Sequence, residues 1–134
     1  MKRMIVLMLG LFMYSCGLSD MKTEMKKLTK ESKTEMDKIR TELKLEKFDH
    51  TFSEKYRNGK TTKAFHVELA NIDDSIDFEP YNDRIISLFE KSGYNFNDQD
   101  FIRIGYFKNY FAVDTYVSYK IDPKTKEIIS VATQ

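Results

Sequence analysis

Cys16, His50 and His66 carry the only thiol and the only imidazoles of this chain, and two acidic runs carry its densest carboxylates. A lone cysteine forms no disulfide within its own chain. A zinc site needs further Cys or His ligands at set spacings, and no second cysteine or His-x-x-His pair supplies them. His66 alternates with Phe65, Val67 and Leu69, which puts it on the outward face of a strand. There it reads as an ordinary surface imidazole. Asp73, Asp74, Asp77 and Glu79 form one acidic run, and Asn95, Asn97, Asp98 and Asp100 form another. Both offer oxygens to calcium, yet neither has the EF-hand spacing, its central glycine or its terminal glutamate. Solvated loops, with acids at a helix start, account for both. No Gly-x-Ser-x-Gly elbow surrounds a serine, and no glycine-rich phosphate loop occurs. The sequence names no catalytic residue, no metal ligand and no cofactor, so a binding role is expected ahead of an enzymatic one.

Cys16 gains meaning from what precedes it. Lys2 and Arg3 form a cationic start, Met4 to Tyr14 is apolar except for Gly10, and Ser15 stands just before the cysteine. A charged start, a short apolar core and a small exit residue make a secretory signal. At ~1.5 Å per residue the core is roughly 16 Å long as a helix. A span needs ~20 apolar residues, so this segment is too short to cross a bilayer stably.

Met13-Tyr14-Ser15-Cys16 resembles the lipobox of bacterial lipoproteins. Ser15 fits that pattern, Met13 replaces its leucine, and Tyr14 is bulkier than its usual residue. The resemblance implies a signal peptide over residues 1–15, diacylglycerol on the Cys16 sulfur, cleavage before Cys16 and fatty acylation (palmitate or a similar chain) of the new amine. Each buried methylene adds ~0.8 kcal/mol, so two or three chains anchor durably. Gly17 follows the cysteine where an Asp would retain the protein in the inner membrane. The expected address is therefore a cell membrane by lipid anchor, the outer one where the host has two.

Net charge is +1, with acids and bases interspersed, which argues against a nucleic-acid partner. Aromatics are 13%, and Gly and Pro number only five and two. That composition suits a folded domain rather than a disordered chain.

From Asp20 to Lys47 the chain lacks Gly and Pro. Met21, Met25, Leu28, Ser32, Met36, Ile39 and Leu43 recur at steps of 4, 3, 4, 4, 3 and 4. This is an eleven-residue spacing, about 3.67 per turn, rather than a heptad. Residues 16–47 are expected to form a lipidated N-terminus and a helical stalk. The stripe is thin and rich in Met, which specifies a seam poorly. A solvated spacer is favoured over a coiled coil.

A small α+β domain is expected over residues 48–134. Asn58-Gly59 marks a type I′ turn between strands at 50–57 and 61–70. Pro80 suits a helix start, Tyr81, Ile85, Leu88 and Phe89 share one helical face, and Gly93 suits its end. The spacing predicts a helix over 80–92. Strands follow over Phe101–Phe107, Tyr110–Ile121 and Glu127–Val131. The order β-β-α-β-β-β predicts an antiparallel sheet with one helix packed across it. The closing hairpin, from Tyr119 to Ile128, resembles that of PepSY-type domains, with Lys126 in place of their glycine, and it carries over no site.

Strand alternation leaves one sheet face uncovered. It assigns Tyr110, Asp114, Tyr116 and Lys120 to that face, with Phe101, Arg103, Phe107 and His66 from neighbouring strands. Phe101, Arg103, Phe107, Tyr110, Asp114 and Tyr116 are the candidate interaction residues, since aromatics and Arg are enriched in binding hot spots. The expected role is a lipid-anchored cell-envelope binding module with an envelope-protein partner. One alternative is a structural lipoprotein that oligomerises through its stalk, as murein lipoproteins do. Those end in a cell-wall-linked lysine and carry heptads, whereas this sequence ends in Gln134. A small enzyme is the other alternative.

Overall fold

The computed structural model describes residues 27–72, 76–111 and 114–133. The signal segment, Cys16 and the stalk up to residue 26 lie outside the described residues, as do Asp73 and Asp74 of the first acidic run. The described elements are α1 (Lys30–Leu43), β1 (Lys47–Arg57), β2 (Lys60–Ala70), α2 (Glu79–Lys91), β3 (Phe101–Phe107), β4 (Thr115–Ile121) and β5 (Ile128–Thr133). The strands form one sheet in the order β1-β2-β3-β4-β5.

Asn58 and Gly59 take φ of 54° and 75°, the pair of positive angles that a type I′ turn demands. The turn fixes the β1–β2 register, with Arg57 opposite Lys60 and Phe52 opposite Phe65. Gly93 closes α2 at φ 88°. The sheet itself differs from expectation. β2 and β3 are parallel, Ala64 lying beside Phe101 and Ala70 beside Phe107. A helix between adjacent strands carries the chain back to the starting edge, so the second strand must run in the same direction. The sheet is mixed, not antiparallel.

A second correction concerns α1. From residue 30 the expected stalk is a helix packed into the domain. Ile39 and Leu43 are buried, and Leu28 and Met36 pack against the same core. Thr29 caps the helix by accepting from the Ser32 amide at 3.2 Å. Ser32, itself buried, donates to the Leu88 carbonyl at 2.7 Å, and the Thr29 amide donates to Ser92 Oγ at 3.0 Å. These bonds tie the start of α1 to the end of α2. Arg84 on α2 reaches Glu35 at 2.7 Å and forks onto Glu42 at 2.7 and 3.2 Å. All three side chains are about a third exposed or more, so solvent screening keeps the pairs to about 1 kcal/mol or less.

Both helices lie on one side of the sheet. Phe65, Val67 and Leu69 of β2, Ile102, Ile104 and Tyr106 of β3, and Val117, Tyr119 and Ile121 of β4 meet them. Helical cover stops short of β5, where Ile129 and Val131 stay 53% and 50% exposed. On β1 the core side carries Phe48, Phe52 and His50. The His50 ring packs 4.7 Å from Phe89, and its Nε2 lies 3.0 Å from the Tyr94 hydroxyl. Burial holds the His50 imidazole below its ordinary value of 6.5. The unfolded chain therefore binds a proton at His50 more readily than the folded chain does. In that window stability rises with pH, so it is complete above about 6.5 and lost as pH falls below it. Thermal melts between about pH 8 and pH 5 should show this decline, and His50→Gln should flatten part of it. An equal decline in the variant would assign the dependence to other groups.

Candidate binding face

The other side of the sheet carries no helix among the described residues. Strand alternation sends Thr51 and Ser53 of β1, His66 and Glu68 of β2, Arg103 and Phe107 of β3, and Ser118 and Lys120 of β4 to this side. Register sets them in rows. One row runs across the sheet as Thr51, His66, Arg103, Lys120 and Ser130. A shallow groove of about 410 Å³ lies along it, bordered by His66, Arg103, Ser118, Lys120, Ser130 and Thr133 among others.

Phe101 sits at the centre of the charges. The Arg103 guanidinium carbon lies 5.4 Å from its ring centroid, and the Lys120 Nζ lies 4.4 Å away. His66 meets the same ring edge-on at 6.1 Å. Ring quadrupoles attract cations at this range, with ~0.5–1 kcal/mol for exposed pairs. Burial first, then the charges of Arg103 and Lys55, hold the His66 imidazole below its ordinary value. Glu68 is engaged by Lys47 at 2.9 Å. Phe107 folds back over Gly105, where an added Cβ would stand 2.5 Å from its ring. Glycine at 105 leaves the space that ring occupies.

The six residues named from the sequence divide. Phe101, Arg103 and Phe107 lie on the open side as expected. Tyr110 is in the turn after β3, 51% exposed, with the Lys47 Nζ 5.7 Å from its ring. Asp114 is in the same connection, where its carboxylate accepts from Asn109 at 3.2 Å and its carbonyl from the Lys108 amide at 2.7 Å. Tyr116 is the correction. Phe107 pairs with Thr115 and Tyr106 with Val117, so Tyr116 is the extra residue of a β-bulge. A bulge offsets the alternation by one. Tyr116 turns onto Phe78 at 5.9 Å and packs against the core, while Thr115 takes a place along the groove.

Sequence reasoning missed one pair. Ser53 Oγ and His66 Nε2 are 2.7 Å apart. The signal was present, because a two-residue turn at Asn58-Gly59 puts residue 66 opposite 51 and diagonal to 53. A serine beside an imidazole is the start of an acyl-transfer site. Such a site also needs a group orienting the base and donors for an oxyanion. Among the described residues no carboxylate bonds the other His66 nitrogen. The backbone amides of His66 and its neighbours are spent on the ladders that flank β2. Among the described residues no three His, Cys, Asp or Glu side chains gather to hold a metal, and no helix is long and apolar enough to cross a membrane. Comparison with protein-family models, with curated proteins and with solved structures finds no match for the chain.

Proposed function

We propose that this protein is a lipid-anchored binding module of the bacterial cell envelope, held by Cys16 and presenting the open sheet face to its partner. The observation that carries the reading is the Phe101, Arg103, Lys120 and Phe107 surface on the side of the sheet that the helices leave bare. The apolar start and the Met13-Tyr14-Ser15-Cys16 segment supply the anchor, with the outer membrane as its place in a host that has two. The rival reading, a stalk that joins copies, is weakened because Ile39 and Leu43 are buried in the chain's own core. A seam needs such branched residues facing outward.

Two measurements in the native host test the reading. Labelled fatty acid should enter the wild-type protein and not Cys16→Ser; no uptake by the wild type would end the anchor. A photo-crosslinking residue in place of Thr115, on the open face, should form an adduct that Arg103→Glu removes. The same residue in place of Thr34, exposed on α1, should not. Equal adducts from both positions, or none from either, would end the claim for the face.

A further inference from the structure

We propose that Arg103 and Lys120, with His66 beside them, form a subsite for a phosphate group. The proposal deepens the reading of the open face as a binding surface and rests on it. Arg103 and Lys120 are direct cross-strand partners. Like charges placed directly opposite destabilise a sheet, so a fold selected for stability alone has reason to avoid this pair. The neighbours do not relieve it. Among the described residues neither cation has a carboxylate within ion-pairing distance. Glu68, which borders the same groove, is bound to Lys47.

The cations are nevertheless held in place. Phe101 draws both heads over its ring, at 5.4 and 4.4 Å. His66 is the cross-strand partner of Arg103 on the other side, and its ring is fixed by Ser53 at 2.7 Å. Three groups able to bear positive charge are thus fixed in one row beside an open groove. Ser118 and Ser130 add hydroxyl donors along it. A guanidinium fork, an ammonium and hydroxyls drawn from three strands offer more donors than the two oxygens of one carboxylate can use. The additional oxygens and charge of a phosphate suit such a set better. An anion there would convert the like-charge pair into two charge-assisted contacts, and it would offset the field that Arg103 exerts on His66.

The two histidines provide the assay, because they lie on opposite faces and are the only two in the chain. The full chain, held in neutral detergent, is titrated at constant pH while the ring C–H proton signals are followed by NMR. Sodium phosphate should move the His66 signals saturably and leave those of His50 in place, and sodium chloride at equal ionic strength should move neither. Arg103→Ala and Lys120→Ala should each weaken saturation about tenfold or more, as loss of a charged hydrogen bond implies. A second arm uses short-chain phosphatidylglycerol against short-chain phosphatidylcholine. Saturation by free phosphate assigns the site to a soluble phosphate compound. Saturation by phosphatidylglycerol alone assigns it to an anionic lipid head group. No His66 response to either probe, or a response that survives both substitutions, overturns the proposal. If the Thr115 crosslink still depends on Arg103 in that event, only the phosphate assignment is lost. If that crosslink is also absent, the open-face reading falls with it.

Discussion

A chain beginning at Phe48 should lose the cooperative melt of the full chain. Apart from Lys47 at the start of β1, the strands and α2 are present in that truncation, but the cover over part of the sheet is not. Ile39 is fully buried and Leu43 is 4% exposed, and truncating either to alanine alone should cost about 2–5 kcal/mol. Phe48 itself is buried in the same core. The truncation also leaves the Leu88 carbonyl without the Ser32 hydroxyl. A domain of this size has about 5–15 kcal/mol of total stability, and the combined loss approaches or exceeds it. Ile39→Ala supplies the graded version: its melting temperature should fall clearly while far-ultraviolet circular dichroism at low temperature stays close to that of the full chain. A truncated chain that melts as the full chain does would return residues 27–47 to the role of spacer.

The burial of α1 was half legible. Its stripe of Leu28, Ser32, Met36, Ile39 and Leu43 was read with the right spacing and the right face. Its destination was not, because Ser and Met look like a weak seam for another chain. The structure gives Ser32 a partner that sequence cannot display, a carbonyl on α2 at 2.7 Å. A polar residue is tolerable in a core when it is bonded there. The β1–β2 hairpin was legible because Asn-Gly dictates both turn type and register. The helix at 79–91 was legible because Pro80 and Gly93 mark its ends and its apolar face is broad. The parallel β2–β3 pair was not drawn from the same elements, since the order of strands and helices does not say which strands are neighbours.

The open face was legible wherever a strand keeps its alternation, as at Phe101, Arg103 and Phe107. It failed at Tyr116, because a bulge consumes one residue and leaves no mark in a run such as Asp114 to Val117. The expected strand from Tyr110 likewise begins only at Thr115. Lys108, Asn109 and Tyr110 make a turn there, and Asp114 closes it by bonding to Lys108 and Asn109. The pairing of Arg103 with Lys120 needed the β3–β4 register, which turn chemistry around 108–114 does not fix as Asn-Gly does.

Tyr106 is the single side chain whose loss should cost most. It has no exposed surface and sits near the end of β3, the central strand of the sheet. Its ring stacks on Phe78 at 4.6 Å and meets Tyr119 edge-on at 5.9 Å. Its hydroxyl donates to Asn82 Oδ1 at 2.7 Å and lies 3.3 Å from the Phe78 carbonyl. Burial pushes that hydroxyl far above the ordinary tyrosine range, so it stays protonated and remains a donor. Tyr106→Ala should cost about 3–5 kcal/mol, the range for removing a large buried ring. Tyr106→Phe isolates the hydroxyl. It keeps the ring and leaves Asn82 Oδ1 buried without its donor, beside an amide nitrogen that has no partner among the described residues. An orphaned buried polar group costs about 1–3 kcal/mol. Asn82→Leu added to Tyr106→Phe removes the orphan, and replacing both partners by apolar groups is close to neutral. The double variant should therefore recover most of the stability lost by Tyr106→Phe. Urea unfolding at unchanged slope measures each step. If Tyr106→Phe unfolds at the same midpoint as the wild type, the hydroxyl contributes nothing net and the ring alone holds the centre of the sheet.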